Sequence, residues 1–431
     1  RETGGGVGHG RNSIVLGPDG FIYLTHGNDV LLPKGFKPTP ASTYRNYRRD
    51  QLLPCEWNRV LFNQGVRPPA GHVIRTDRDG KRWDMIAGGF RNPYGIDFNP
   101  DGELFVYDAD MEWDEGSPWY RPTRVNHVVS GGDYGWRQGT DKWQAYFPDS
   151  LPGNADLGLG SPTAIAFGTD SNFPEPYRHA LFILDWAYGK IIAVHLMPEG
   201  ASYRGQAEEF VTGRPLNVTG VDFGPDGAMY FVTGGRRTQS GLYRVRYVGG
   251  ESLPSLGQAA AGEAKRAREL RRRLEQFQSR RSIEGVGLAW EHLGNDDPWI
   301  RHAARVALEN QALEQWKLPA LTESNTKKAL SALMALVRSS DPQVQSQIFG
   351  RLNDLPWEGL PMQWQLVALR TYQLAFTRMG GGRPGDRNPI IKKIVTASEK
   401  SAEVRMEVSR LLIYLKAPGI ITGLLNYVVD A

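Results

Sequence analysis

"SIVLGPDGFIYLTHG", residues 13–27, reads as a strand, a tight turn and a second strand. Apolar side chains alternate on both sides of Gly-Pro-Asp-Gly, the Pro fixes φ for the turn, and the last Gly takes the positive φ that closes it. The same grammar returns in "YGIDFNPDGELFVYDAD" (94–110) and "TGVDFGPDGAMYFVTGG" (219–235). Further strand pairs are expected at 71–88, 124–137, 162–169, 181–196 and 240–248. Repeated hairpins of this kind mark the blades of a β-propeller, and these make about four. Propellers typically need more to close, so residues 1–250 are expected to be a propeller lacking blades at its N-terminus.

Beyond Gln258 the pattern becomes helical. "EAKRARELRRRLEQFQSRR" (263–281) is a charged helix whose basic run reads as a solvated connector, with an anionic-surface binder as the rival. "DDPWIRHAARVALENQ" (296–311) and "SDPQVQSQIFGRLND" (340–354) share Asp-Pro before a helix, with Asp297 and Asp341 about 44 residues apart, the HEAT period. "SAEVRMEVSRLLIYL" (401–415) resembles a looser third copy. The expected organisation is therefore a propeller over 1–250, a linker and connecting helix over 251–282, and a HEAT-like α-helical solenoid over 283–431. His302 and the five tryptophans of the second half read as packing residues.

The chain has 431 residues and a formal charge of +4. Residues 1–250 hold 26 Lys+Arg and 28 Asp+Glu, residues 251–431 hold 25 and 19, and so small an excess does not indicate nucleic acid. The single cysteine, Cys55, excludes an internal disulfide and a C-x-x-C-H haem attachment. No apolar run is long enough for a transmembrane segment. The opening "RETGGGVGHGRN" shows neither an initiator Met nor a signal peptide, so a processed or partial chain is expected.

Three stretches carry candidate chemistry. His9, just before a strand, suits a general base or, alternatively, a turn cap. Arg91 and Asn92, in "GGFRNPYGIDFNPDG" (88–102), offer a planar fork and an amide to a ligand, or simply an ordinary way into a blade. "FVYDADMEWDEGSPWYRPTRVNH" (105–127) puts five carboxylates into eight positions. Asp108, Asp110, Glu112 and Asp114 would form a like-charge row if the strand continued, requiring either a hard cation such as calcium or Arg121 and Arg124. Spacing alone leaves both open.

Taken together, His9 with its downstream Gly-Pro-Asp-Gly, "RNPYGIDFNPDG" and "GGDYGW" resemble the glucose/sorbosone dehydrogenase family, six-bladed propellers that use pyrroloquinoline quinone and calcium. "YDADMEWDEGSPWYRPTRVNHVVSGGDYGWR" resembles its planctomycete-type branch, in which HEAT repeats and often a c-type cytochrome domain follow the propeller. The resemblance implies a periplasmic or secreted oxidoreductase acting on a carbohydrate or small alcohol, passing electrons to a haem domain or partner outside this chain. It implies that His9 takes the substrate's proton, that Arg91 and Asn92 contact the quinone, and that calcium is held at Asp110 and Met111 by main-chain carbonyls, with Asp108 nearby. It also departs from the family. Ala187 stands at or beside the cofactor lysine, Asn217 and Thr219 where arginines are usual, and Gly8 where an acid precedes the histidine. Lys190 is only an out-of-register substitute, and Arg236 and Arg237 are candidates for a different grip. Trp113, Trp119, Tyr120 and Trp136 would suit sugar stacking. The rivals are a non-catalytic glycan- or protein-binding propeller on a HEAT scaffold and a calcium-dependent lactone hydrolase.

Overall fold

A computed structural model describes residues 9–32, 46–54, 66–109, 122–139, 142–250, 261–339, 341–396 and 401–420. Its N-terminal part is rich in sheet and its C-terminal part helical. Chain proximity divides it into two units, one of Arg1–Tyr47, Trp57–Lys142 and Pro152–Arg272, the other of Arg48–Glu56, Trp143–Leu151 and Arg273–Ala431.

The first unit holds four sheets of hydrogen-bonded neighbours. The first contains β1 (Arg11–Leu16), β2 (Ile22–His26), β3 (Gly71–Thr76) and β4 (Trp83–Phe90). The second is led by β5 (Asn92–Phe98), β6 (Leu104–Ala109) and β7 (Arg124–Val128). Of the short strands, β8 (Gly132–Asp133) joins the first sheet and β9 (Ala155–Asp156) the second. The third contains β10 (Pro162–Phe167), β11 (Leu181–Asp185), β12 (Lys190–Glu199) and β13 (Ser202–Thr212), with one helical turn, α1 (Glu175–Arg178), before β11. The fourth contains β14 (Val218–Phe223), β15 (Met229–Thr233) and β16 (Gly241–Val245). The leading strands β1, β5, β10 and β14 pack in succession, so the sheets follow one another as blades do.

The three Pro-Asp-Gly turns close as their sequences demand. Gly20, Gly102 and Gly227 take φ of 80°, 74° and 70°, and their amides donate to the carbonyls of Gly17, Asn99 and Gly224 at 2.8–2.9 Å. Apolar faces then meet between sheets. Phe105, Tyr107 and Val125 of the second sheet pack on Ile165, Ile183 and Val194 of the third. Phe182 and Leu184 of the third pack on Met229 and Phe231 of the fourth. Tyr23 and Phe98 meet edge to face at 5.1 Å between the first two.

The basic helix α2 (Ala261–Gln276) is not the solvated connector that its composition suggests. Arg268 and Arg271 are 4% and 1% exposed. Arg268 donates to Asp101 at 2.9 Å and Arg271 to both oxygens of Glu103 at 2.6 Å. The acids belong to the Pro-Asp-Gly turn of the second sheet, so an arginine periodicity that looked solvent-facing is a binding face for that turn.

The second unit contains α3 (Ile283–His292), α4 (Pro298–Glu309), α5 (Lys317–Thr322), α6 (Thr326–Arg338), α7 (Gln345–Asp354), α8 (Met362–Met379), α9 (Arg387–Val395) and α10 (Ala402–Tyr414). Helices α4, α6, α8 and α10 pack in order as one layer, and α5, α7 and α9 as another. The repeated Asp-Pro is capping chemistry. Asp297 Oδ1 accepts from the amides of Trp299 and Ile300 at 2.8 and 3.3 Å with Pro298 in the first turn, and Asp341 accepts from Gln343 ahead of α7. Trp316, Trp357 and Trp364 are fully buried and His302 is 3% exposed, as packing residues.

Candidate functional site

In every sheet the start of the leading strand lies opposite the end of the second strand. Arg11 pairs with His26, Asn92 with Ala109, Pro162 with Asp185 and Val218 with Thr233. Residues just before the leading strands and just after the second strands therefore gather at one end of each sheet, with the Pro-Asp-Gly turns, or in the third sheet the link that carries α1, at the other. Polar side chains at this rim end secure the entering backbone. Asp108 accepts from the amides of Arg91 and Asn92 at 3.2 and 2.8 Å, Asp185 from Ser161 and Ala187 at 2.8 and 3.0 Å, and Asp29 from His9 at 3.3 Å. The Asp108 carboxylate, expected as part of a metal site, is thus engaged by main-chain donors.

His9 is 8% exposed and its Nδ1 lies 2.6 Å from Asn28 Oδ1. An amide oxygen only accepts, so Nδ1 carries the proton and donates, which puts the ring's lone pair on Nε2. Burial and the nearby Arg91 charge lower its pKa to about 4, against the hydrogen bond that His9 donates to Asn28. The imidazole is therefore neutral at ordinary pH and able to accept a proton. The Asn28 amide in turn donates to the Arg91 carbonyl at 2.9 Å, joining the first two sheets at this point. Gly27 is required for the close approach, since a Cβ there would lie 2.5 Å from Asn92 Oδ1 and 2.7 Å from the His9 carbonyl oxygen. Arg91 is 7% exposed, and Asn92 Oδ1 accepts from Asn12 Nδ2 at 2.7 Å. The structure thus brings together His9, Arg91, Asn92 and Asp108. Asn28, Asp29 and Asn12 were not anticipated: Asn28 and Asp29 follow a strand and read first as turn residues, and Asn12 lies within β1.

Other expected residues fare differently. Asp110, Met111, Trp113, Trp119 and Tyr120 lie outside the described residues. Trp136 is 2% exposed, packed with Ala70 and Val66 and with the Lys142 ammonium 5.8 Å from its ring, so no face is presented to solvent for sugar stacking. Arg236 and Arg237 are exposed with φ of 46° and 68°, and the Arg236 guanidinium lies 5.2 Å over Trp186. Arg124, expected to neutralise the acidic run, donates Nη2 to the Tyr134 carbonyl at 2.7 Å.

The donor set suits a carbonyl-bearing redox cofactor only at its reacting end, where a neutral base and one buried guanidinium meet. It does not supply the cations expected around three carboxylates. Asn217 Nδ2 donates to the Trp186 carbonyl at 3.1 Å, Thr219 Oγ1 to the Val232 carbonyl at 3.3 Å, and Lys190 pairs with Glu209. Among the described residues no group of three or more His, Cys, Asp or Glu is placed to hold a metal ion.

A second cluster at the turn end has the hydrogen-bond order of a nucleophilic triad. Ser202 Oγ lies 2.9 Å from His127 Nδ1, and His127 Nε2 lies 2.8 Å from Glu103 Oε2. Ser202 and His127 are 1% and 0% exposed, and Arg271 and Arg272 clamp Glu103. Sealed in this way, the cluster fastens α2 and the sheets rather than meeting a substrate.

No family model matches the chain. Quinoprotein glucose dehydrogenase B of Acinetobacter calcoaceticus is 24% identical over 139 residues, 30% of this chain and 26% of that protein, so the matched stretch spans about a quarter of the relative's length. Among solved structures, a glucose dehydrogenase-type oxidoreductase of Thermus thermophilus aligns with a TM-score of 0.38 and 22% identity, covering 55% of this chain and 65% of its own. The PQQ-bound aldose sugar dehydrogenase of Streptomyces coelicolor aligns with a TM-score of 0.36 and 17% identity, covering 54% and 58%. Over part of its length the chain is thus similar to sugar dehydrogenases of the quinoprotein type. No described helix is long and apolar enough to cross a membrane.

Proposed function

We propose that the sheet unit is a sugar or alcohol oxidoreductase of the quinoprotein type, working outside the cytoplasm and delivering electrons to a haem domain or partner beyond this chain. The observation that carries this reading is the buried, neutral His9, held by Asn28 at 2.6 Å and set in the field of Arg91. His9 Nε2 takes the proton of the substrate hydroxyl. Asn28 fixes the tautomer, and Asp108 fixes the backbone that carries Arg91 and Asn92. Pyrroloquinoline quinone, when bound, would supply the hydride acceptor, and Ca2+ would polarise its carbonyl. Arg91 and Asn92 would hold the quinone, Asp110 and Met111 the calcium through their carbonyls, and Arg236 and Arg237 are the candidates for its carboxylates.

Calorimetric titration of calcium-loaded full-length protein with the quinone, followed by dye-linked oxidation of an aldose panel, tests this. Saturable binding and dye reduction that His9→Gln lowers by about 100-fold or more are expected. Absence of both binding and dye reduction would overturn it. The neutral Ala187, Asn217 and Thr219 favour a second reading, a non-catalytic glycan-binding propeller with the helices as a partner surface. Sugar binding with no quinone binding would select that reading.

A further inference from the structure

We propose that the groove between the ends of α3 and α5 binds a lysine side chain of a partner polypeptide. The proposal does not depend on any redox role of the sheets. Trp290, Leu318, Pro319, Thr322, Glu323 and Ser324 line a cavity of about 400 Å3. Leu318 is 68% exposed, and Pro319, Thr322 and Ser324 are exposed as well, so a ligand can reach it. Trp290 also stands apart from the other tryptophans of the second half. Trp299, Trp316, Trp357 and Trp364 are buried, whereas Trp290 is only half-buried and forms a wall of this cavity.

Two other tryptophans of the same unit carry a lysine. Trp364 Nε1 donates to Asp296 Oδ1 at 3.4 Å, and Lys327 Nζ donates to the same oxygen at 2.7 Å. That ammonium lies 5.4 Å from the indole centre, and Arg301 donates to the Asp296 carbonyl at 3.3 Å. Beside Trp357, Lys393 pairs with Glu358 at 2.7 Å and lies 5.5 Å from the ring. Trp290 repeats the Trp364 arrangement in all but the lysine. Its Nε1 donates to Glu323 Oε2 at 2.9 Å, and Arg351 donates to the Glu323 carbonyl. Among the described residues no lysine or arginine pairs with the Glu323 carboxylate or lies over the Trp290 ring. Lys328 acts on that carboxylate through its field alone.

An ammonium in the groove would pair with Glu323 and lie against the Trp290 ring, as Lys327 does at Asp296 and Trp364. Trp290 is in the last turn of α3 and Glu323 directly follows α5, and helix carbonyl ends favour a cation. Both Glu323 oxygens already accept, Oε2 from Trp290 and Oε1 from the Asn325 amide at 2.8 Å. The forked, two-oxygen grip of a guanidinium is therefore disfavoured, and a point charge that needs one lone pair fits better. A neutral sugar could stack on the ring but would not bring the charge found at the other two tryptophans. Leu318 and Pro319 suit the apolar stem of lysine. A free diamine of the same length would set its second ammonium against them, so the stem is expected to come from a peptide backbone.

The test titrates the full chain at fixed ionic strength with the peptide acetyl-Ala-Lys-Ala-amide and follows the Trp290 indole N–H resonance, assigned by its loss in Trp290→Phe. The peptide should shift that resonance saturably, and the analogue with norleucine in place of lysine should not, a comparison that needs no variant. Glu323→Gln keeps an acceptor for Trp290 but not the charge, and should weaken the response at least tenfold. Glu291→Gln removes an exposed charge beside Trp290 in sequence and should leave the response unchanged. No shift with the lysine peptide, or an equal shift with the norleucine analogue, would overturn the proposal. So would a Glu323→Gln protein that responds like the wild type, or a Glu291→Gln protein that loses as much as Glu323→Gln. Tighter binding of the free diamine cadaverine, or of maltose, than of the peptide would overturn the polypeptide as ligand.

Discussion

Both units bury ion pairs, Arg271–Glu103 and Arg137–Asp133 among the sheets as well as those of the helices, but the two differ in what else they bury. The sheet unit buries imidazoles that stay neutral. His26 Nδ1 lies 2.9 Å from His72 Nε2, and His72 Nδ1 donates to the Ala70 carbonyl at 2.8 Å. The helical unit buries further charge pairs. Arg370 donates to Asp149 at 2.9 Å, Arg338 also reaches Asp149, and Arg378 grips Asp50 with two bonds of 2.7 and 2.6 Å. A neutral imidazole and an ionised carboxylate resist different protons, so the two units should fail at different pH.

Burial lowers His9, His72 and His127 to about 4 and His26 to about 3. Arg91 adds to this at His9, and His72 and Arg11 at His26. In the unfolded chain these rings titrate near 6.5, so below that pH the unfolded state binds protons that the sheets refuse. Their contribution is complete above pH 6.5 and is lost as pH falls towards 4, about 2 kcal/mol for each ring by pH 5. Asp149 is also buried, which alone would raise its pKa, but Arg370 and Arg338 prevail and hold it at about 2. Its contribution survives until pH drops below about 3.8. Hydrogen exchange at pH 7 and pH 5 should therefore show β2, β3 and β7 losing protection while α8 keeps it. Parallel loss in both units would break the contrast.

Removing one partner from the ion-pair cluster is the reverse experiment. Asp149→Ala leaves Arg370 and Arg338 buried without their acid and should cost the helical unit about 3–5 kcal/mol in chemical denaturation. A loss below about 1 kcal/mol would show that water reaches the cluster.

What the sequence reveals follows the range of each interaction. The Pro-Asp-Gly hairpins and the Asp297 cap were legible because each is settled within a few residues. Arg378 finds Asp50 across 328 residues and Arg370 finds Asp149 across 221, and no local pattern marks those partners. That is why sequence alone places the segments near residues 50 and 149 within the propeller range of 1–250. The candidate base was legible in His9 only as a histidine before a strand. Its orientation depends on Asn28, and its neutrality first on burial and then on Arg91 from the next sheet. Trp136 gave the opposite error, since an aromatic ring in a glycine-rich loop looks available until packing encloses it.

Aspartate capping gives the finest comparison, because both units use it at different depths. Asp297 is half-buried and serves the first amides of α4, which water could otherwise reach. Asp108 is 1% exposed and serves the amides of Arg91 and Asn92 where the second sheet begins. Asp297→Ala should cost about 1 kcal/mol. Asp108→Ala strands two buried donors and should cost about 3 kcal/mol. The Asp108 variant should also loosen the rim that buries His9 and sets Arg91 against it, letting the imidazole titrate nearer 6.5, a change visible in the pH dependence of its NMR ring-proton shifts. Equal costs for the two variants, with the His9 titration unmoved, would mean that Asp108 is an ordinary turn cap and that the rim is held by something else.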